Sequence, residues 1–543
     1  MLSSTRRGFL VGLGAGAIAI AVSFVIRISV GGAFLPELAA QTLFTLTPGS
    51  VESVAVETLQ SLAKYSAFTG AVIINLLLYG VLGALLFRSK SLSETNGRLE
   101  RFVNYTALPY IVVTTVSILL FFTTAIQSSP VTLPVLLLSM VPPQLVFGAT
   151  LTWFSPAVVV KPTEVCVAAK PPKGKKFDRR RRLFIQAGVA TAVGAAILAY
   201  GVGFLLRSTP SASTVQASVP SLEAQNITAN ASFYRVDVNI FPPSVNASTW
   251  TLTVTGLVDN PLKLTLADLQ NMAYYEQYNT LECVSNTIGG DLISTAQWTG
   301  VRLKDVLSTA GVQSAGDYIV FTAVDGYDVA IPMDRAMLDG TLLAYEMNGV
   351  PLPTDHGYPL RAIVPGLYGM MNAKWIINIQ VVQGEFQGYW QQRGWTNTAE
   401  YQTGSEIVIP GDAQVTDRFG IDGSSDVGLG IVPIAGVAYA GDRGISKVEV
   451  STDGGNTWTT ASLTDPLSNY TWVFWSVDWN PPMTGAYKLQ VRATDGTGAV
   501  QTAVVTSPFP NGATGYQVVD ISVLPASTTT TPTASTVSTT STA

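Results

Sequence analysis

The sequence predicts an α-helical membrane module, then an α+β globular domain, then an all-β sandwich. Three observations carry that prediction. Five runs of about 20 apolar residues crowd the first 206 positions, each long enough to cross a bilayer as a helix. Charge then divides the chain: residues 1–206 hold 17 Lys and Arg against 7 Asp and Glu, whereas residues 207–543 hold 14 against 29. Beyond about residue 404, short alternating strands and turn signals recur roughly every 8–12 residues, which is the texture of a sandwich. The expected organisation is a membrane module at 1–206, a linker at 207–231, the α+β domain at 232–403, the sandwich at 404–525 and a Ser/Thr-rich tail at 526–543.

The five expected spans cover about 8–30, 66–87, 106–126, 131–154 and 183–206, with only "QSSP" between the third and fourth, which suits a tight helical hairpin. Arg27 lies near enough to the end of the first span to snorkel, and Asn75 is the main polar residue within the second. Positive charge collects before span one (Arg6, Arg7), between two and three (Arg88, Lys90, Arg98, Arg101) and in "KPTEVCVAAKPPKGKKFDRRRRL" between four and five. The 31–65 loop carries Glu37, Glu52 and Glu57 against Lys64. The positive-inside rule therefore predicts a multi-pass cell-membrane protein with a cytoplasmic N-terminus and everything after residue 206 outside. Cys166 and Cys283 then face opposite compartments and form no intrachain disulfide. Sequons at Asn226, Asn230, Asn246 and Asn469, with the tail "ASTTTTPTASTVSTTSTA", agree with an outer glycoprotein surface.

Residues 207–231 show little hydrophobic periodicity and read as a linker. "TWTLTVTGLVDNPLKLTLADL" reads as strand, turn, strand and helix start, and "DYIVFTAVDGYDVAIPM" as two strands around an Asp-Gly turn. "GYPLRAIVPGLYGMMNAKWIINIQVV" reads as two strands joined by a Gly/Pro-rich loop. In the sandwich, Trp458, Trp472, Trp475 and Trp479 read as packing residues.

Composition excludes much chemistry. His356 is the only histidine, so a haem between two histidines in the spans is excluded, as is attachment through C-x-x-C-H. Two cysteines cannot hold an iron–sulfur cluster or a Cys-rich zinc, and the outer half lacks a G-x-S-x-G elbow. Its acidity argues against nucleic acid as a partner. What remains is one outer thiol, Cys283, followed by Asn286 and Gly289-Gly290, where backbone can approach a ligand. A lone cysteine is commonly a small buried hydrophobe. Here His356, Arg361 and Lys374 gather in one Gly/Pro-rich stretch that suits a phosphate or pyrophosphate group. A thiol beside a phosphate-binding stretch points to a metal carried by a phosphorylated organic cofactor.

At these residues the sequence resembles a known family. "TLECVSNTIGG", "AQWTGVRLKDVL", "VDGYDVAIPM", "LLAYEMNGVPLPTDHGYPLRAIVPGLYGMMNAKW" and "GYWQQRGW" are collinear and similar to the sulfite oxidase family of molybdopterin-dependent oxidoreductases. "IAGVAYAGDRGISKVEVSTDGGNTW" resembles that family's immunoglobulin-like dimerisation domain, so the likeness spans about residues 230–525. It implies molybdenum, or tungsten, with molybdopterin as cofactor, and Cys283 as the thiolate ligand to the metal at the catalytic centre. Asn286, His356, Arg361, Asn372, Ala373 and Lys374 would hold the pterin and its phosphate, joined by Tyr234 and Arg235 of "FYRVD". It also implies a homodimer through the Ig-like domain. Sulfite-oxidising members resemble C-x-x-N-R at the ligand, where this chain has Thr287, and Trp395 stands where they carry a substrate-contacting tyrosine. Arg393 offers charge from another direction, and with Trp395 completes the candidate substrate residues.

The expected activity is oxygen-atom transfer on a small sulfur oxyanion such as sulfite. The alternatives are reduction of a sulfoxide of the methionine sulfoxide type, or a cofactor-free surface protein for adhesion. Electrons would pass to an external one-electron carrier or a quinone-linked membrane partner. A cofactor inserted in the cytoplasm requires export of a folded domain. "RRRRLFIQAGVATAVGAA" resembles a twin-arginine signal at Arg181, Arg182, Phe184 and Ile185, and "STRRGFLVG" has the same look.

Overall fold

The computed structural model describes residues 4–49, 51, 61–88, 98–125, 133–154, 215–216, 218–239, 241–411, 416, 419 and 421–525. The fifth expected span, the "QSSP" hairpin, Cys166, the second twin-arginine motif and the Ser/Thr tail lie outside these residues.

Among the described residues, the N-terminal module has six helices: α1 Ser4–Val30, α2 Leu35–Leu46, α3 Ser61–Arg88, α4 Arg98–Ala125, α5 Leu133–Ser139 and α6 Val141–Phe154. Among those residues, four stretches are long and apolar enough to cross a membrane: Ser4–Val30, Ser66–Arg88, Leu99–Phe122 and Leu133–Phe154. The last divides into α5 and α6 because Pro142 and Pro143 remove two donors from the helix ladder. Small residues let two such apolar helices approach closely. Gly8, Gly12 and Gly16 present one such face of α1 to Tyr79, Gly80 and Gly83 of α3; a Cβ on Gly12 would sit 2.5 Å from the Tyr79 carbonyl. Between helices, the Gln144 amide donates to the Tyr79 hydroxyl at 2.7 Å.

Arg27 is half-buried against Glu37 in a two-pronged pair of 2.6 and 3.0 Å, and the partner corrects the sequence reading. Glu37 belongs to α2, a helix in what was read as a loop. Pro36 near its start has the φ a helix needs, and Glu37 in the first turn favours the helix dipole.

The linker also has structure. β1, Val215–Gln216, pairs in parallel with β13, Ile421–Asp422, and α7, Val219–Glu223, begins at a Ser218/Ser221 capping box. The next domain carries two five-stranded sheets. One comprises β4 Tyr275–Glu282, β5 Ile293–Arg302, β8 Leu342–Met347, β9 Val350–Pro351 and β10 Arg361–Ile363, in order β10-β8-β5-β4 with β9 on β8. The other comprises β2 Leu252–Gly256, β3 Leu262–Leu264, β6 Tyr318–Ala323, β7 Asp328–Pro332 and β11 Ile376–Val382, in order β3-β2-β11-β6-β7. β5 is buried on both faces for most of its length, and Trp298 at its centre is fully enclosed.

The sandwich follows as two sheets. The first is β12 Gly404–Ile409, β15 Val432–Tyr439, β19 Val473–Trp479 and β18 Ser462–Leu463. The second is β14 Asp426–Gly428, β21 Gln517–Leu524, β20 Gly485–Asp495, β16 Ile445–Ser451 and β17 Thr459–Thr460. Ile407, Ile434, Trp475, Val450, Leu489 and Val491 fill the space between them. The sandwich grips the preceding domain near the end of β4: the Tyr439 hydroxyl donates to the Thr280 carbonyl at 2.7 Å, and the Trp472 amide donates to the Thr280 hydroxyl at 2.9 Å.

Candidate cofactor site

Cys283 follows β4 directly, at the mouth of a loop that returns to β5. The loop is closed by its own backbone and by one side chain. The Cys283 amide donates to the Leu292 carbonyl at 2.9 Å. Asn286 accepts from the Leu292 amide at 3.0 Å and donates to Glu282 at 2.9 Å, so its amide is spent on joining the two loop ends. Gly289 has φ +71°, and a Cβ on Gly290 would lie 2.4 Å from the Asn286 oxygen. Only glycine fits that closure.

The thiol is buried, with the Ser285 hydroxyl 3.1 Å away. Burial pushes its pKa up, and the Ser285 hydrogen bond pulls against that rise. Four buried or nearly buried tyrosines surround it closely enough to feel its charge: Tyr234, Tyr327, Tyr368 and Tyr401. Burial first, and the neighbouring negative groups second, hold all four phenols protonated. Tyr327 donates to the Met370 carbonyl at 2.6 Å, and the Tyr401 and Tyr368 oxygens accept from the Glu282 and Gln402 amides at 3.2 Å each. Apart from Tyr234, this aromatic collar was not part of the sequence reading, because its members come from four separate segments with no common spacing.

Cations line the next layer. Arg361, on β10, is buried to 4% exposure and lies 4.7 Å above the Trp298 ring. It donates to the His356 carbonyl at 3.1 Å, but its Nε has no hydrogen-bond partner, and it has no carboxylate partner among the described residues. Burial pulls its pKa down to about 10. His356 is held by the Asn230 carbonyl, 2.8 Å from Nε2, and by the Phe233 ring, and burial lowers its pKa to about 4. The Asn230 side chain is itself engaged, donating to the Met347 carbonyl at 3.3 Å and accepting from Asn348 at 2.7 Å.

Lys374 pairs with Asp237 and donates to the Asp355 carbonyl at 3.2 Å. Burial lowers its pKa, and Asp237 offsets part of that. Arg235 turns to Asp237 and Asp355. Asn372 braces its loop, accepting from the Val364 amide at 2.7 Å and donating to two carbonyls, while Ala373 accepts from the Ala362 amide at 2.8 Å.

The sequence reading did not single out Asp325. It is fully buried, accepts from the Asn239 amide at 2.9 Å and from the Tyr327 amide at 3.1 Å, and feels both Lys374 and Asp237. Burial pushes its pKa up to about 6. Its only sequence signal was the Asp-Gly-Tyr turn, read as a hairpin.

The two candidate substrate residues sit apart from the cations, joined to the collar through an aromatic row. Tyr327 meets Tyr389 at 5.9 Å, Tyr389 meets Trp390 at 5.0 Å, and Trp390 meets Trp395 at 6.4 Å. Arg393 stacks on Tyr389 at 3.6 Å. Trp395 is buried against Phe509, and its Nε1 has no hydrogen-bond partner among the described residues.

A buried guanidinium without a carboxylate partner among the described residues is costly, and the buried thiol, which acts on the same Tyr234, has no second cysteine among those residues. That donor set fits an anionic cofactor whose metal takes the sulfur. Comparison with known proteins agrees. Residues 239–390 match the oxidoreductase molybdopterin binding domain, and residues 396–508 match the Mo-co oxidoreductase dimerisation domain. The chain is 30% identical over 280 residues to sulfite oxidase of Arabidopsis thaliana, covering 44% of this chain and 70% of that one. The chain belongs to the sulfite oxidase family.

The mitochondrial sulfite oxidase of Macaca fascicularis is 34% identical over 298 residues, covering 48% of this chain and 54% of that protein. The chain thus spans about half the length of such mammalian relatives. An uncharacterized oxidoreductase of Bacillus subtilis, YuiH, is 34% identical over 171 residues, covering 32% of this chain and 83% of that one. The first matched segment contains Cys283, Asn286, His356, Arg361, Asn372, Ala373 and Lys374. Tyr234 and Arg235 precede it, and Arg393 and Trp395 fall in the gap between the two matched segments.

Proposed function

We propose that this chain is a membrane-anchored, outward-facing molybdopterin oxidoreductase that moves an oxygen atom to or from a small sulfur compound, with sulfite oxidation as the first reading. The observation that carries it is the buried Cys283 thiol among buried phenols, one of which, Tyr234, feels both its charge and that of Arg361, a buried cation with no carboxylate partner among the described residues.

When bound, the cofactor supplies a metal that exchanges an oxygen atom and two electrons with substrate, water being the oxygen source or product. The chain's own residues do the rest. Cys283, as the thiolate, would hold the metal. Arg361 and Lys374 meet the pterin's phosphate as charges already in place, which lowers the ordering cost of binding. His356, neutral at ordinary pH, keeps the Arg361 segment in register by offering its backbone carbonyl. Tyr234, Arg235, Asn286, Asn372 and Ala373 shape the walls. The tyrosines exclude bulk water while offering hydroxyls, and Arg393 and Trp395 border the substrate side. Electrons leave through an external one-electron carrier or a quinone-linked membrane partner, and the sandwich pairs two chains.

Metal content by mass spectrometry on the full-length protein and on Cys283→Ser tests the reading. One molybdenum or tungsten per wild-type chain, with loss or an altered metal signature in the variant, is expected; well-folded protein with no metal in either would sink it.

A second reading, reduction of a sulfoxide, is favoured by the candidate substrate wall. Trp395 packs on Trp390 and Phe509, and Thr287 supplies no charge, a surrounding that suits a neutral substrate better than a dianion. Steady-state assays with sulfite and with methionine sulfoxide separate the two directions.

A further inference from the structure

The N-terminal helical module reaches the candidate site through α2. From its outer face, the Gln41 amide donates to the Asn239 oxygen at 2.8 Å, and the Asn239 amide donates in turn to the buried Asp325 carboxylate at 2.9 Å. Two residues beyond Asn239, Phe241 inserts among the module's rings, 5.8 Å from Phe24 and 5.7 Å from Phe68. Past the other end of α2, Gly49 presses on the candidate substrate loop, where an added Cβ would lie 2.3 Å from the Arg393 carbonyl. The segment from Gln41 in the middle of α2 to Gly49 just past its end therefore touches both the Asn239–Asp325 pair and the candidate substrate loop.

An amide can present either its N–H or its oxygen to a neighbour. Gln41, by donating to the Asn239 oxygen, fixes which side of that amide faces Asp325. We propose that α2 is a positioning element for the candidate site: Gln41, acting through Asn239, holds Asp325 as a carboxylate beside Lys374 and so tempers the pull of that lysine on an anionic cofactor. The inference rests on the cofactor reading above only in its last clause. The groups acting on Asp325 are Asn239, the Tyr327 amide, Lys374 and Asp237, and burial is what lifts its pKa to about 6. The Tyr327 amide and Lys374 pull against that rise, and the Asn239 amide, donating at 2.9 Å, is a further hydrogen bond to the charged form.

Gln41→Glu is the decisive change. A carboxylate at position 41 invites the Asn239 amide to rotate and donate to it, turning its oxygen toward Asp325. Asp325 is then better accommodated as the neutral acid. The readout is the infrared carbonyl band of a protonated carboxyl in full-length protein, assigned by its loss in Asp325→Asn and followed against pH. The wild-type midpoint is expected near 6. It should lie about one pH unit higher in Gln41→Glu, and as high or higher in Asn239→Leu, which removes the donor. If Gln41→Glu does not assemble, Gln41→Leu, which unlocks the amide without reversing it, should give a smaller upward move.

The second arm is the rate of pterin release from loaded full-length protein at neutral pH. Neutralising Asp325 removes a negative neighbour of Lys374, so Asp325→Asn should release pterin roughly 3- to 10-fold more slowly, and Gln41→Glu, about half protonated at that pH, up to about 2-fold more slowly. Simple structural damage would speed release instead. An unmoved midpoint in the Gln41 variants while Asn239→Leu shifts would overturn the role of α2, and no shift in any variant would overturn the whole chain of contacts. A shifted midpoint with unchanged or faster release would overturn the tempering of Lys374. Wild-type protein that carries no pterin would instead sink the cofactor reading, with the titration result standing independently.

Discussion

At the residue scale the site is a small set of groups kept in costly states. Arg361 is the clearest: burial disfavours its charge, yet no carboxylate among the described residues answers it. Replacing it with leucine should therefore act in opposite directions on two measurements. Pterin retention should fall roughly 10- to 100-fold, the loss of about 1.5–3 kcal/mol from charged hydrogen bonds. The thermal midpoint of cofactor-free protein should hold or rise, because a buried unpaired charge has gone. A fall in both would mean that Arg361 is a structural cation. His356 gives a pH prediction. Its folded pKa of about 4 lies below the ordinary value of 6.5, so the unfolded chain binds the proton more readily. Its contribution is complete above about pH 6.5 and declines as pH falls toward 4, by about 3 kcal/mol in all. Denaturant titrations across that range should show the decline, and His356→Gln should flatten it. Cys283, His356, Arg361 and Lys374 were legible in sequence because thiols and cations are rare in this chain. Asp325, Tyr327, Tyr368 and Tyr401 were not, because burial and neighbourhood single them out, and a local window holds neither.

At the scale of elements, glycine spacing matters more than hydropathy. The apolar runs of α1 and α3 were plain, but hydropathy alone does not say which helices touch. Gly8, Gly12 and Gly16 recur every fourth residue and so share one side of α1, where they meet Gly80 and Gly83. Gly12→Leu should destabilise the full-length protein in detergent by about 1–3 kcal/mol through overpacking, whereas Gly14→Leu, at an open position, should do little. Equal midpoints for the two variants would show that this face does not decide the packing. The same scale holds the clearest misreading. Residues 35–46 fell inside the stretch 31–65 that was read as a loop, with Glu37 counted among its charges. Its partner Arg27, ten residues earlier on another helix, is what makes its burial tolerable.

At the scale of the molecule, the match of residues 396–508 to a dimerisation domain predicts that full-length protein sediments as two chains at micromolar concentration. A strictly monomeric species would remove the sandwich as an assembly surface. By itself the sequence determined the kinds of element, their order and the family: runs of apolar residues, strand alternation and rare chemical groups are local properties that survive without coordinates. Only the tertiary structure decided which of those groups act together. It spent Asn286 and Asn372 on closing loops, left Arg361 without an anion, joined the supposed linker to the sandwich through β1 and β13, and brought Gln41 of one module to Asn239 of another. The reason is physical. Desolvation and hydrogen-bond partnership depend on everything within a few ångströms, and those neighbours come from segments as much as 198 residues apart.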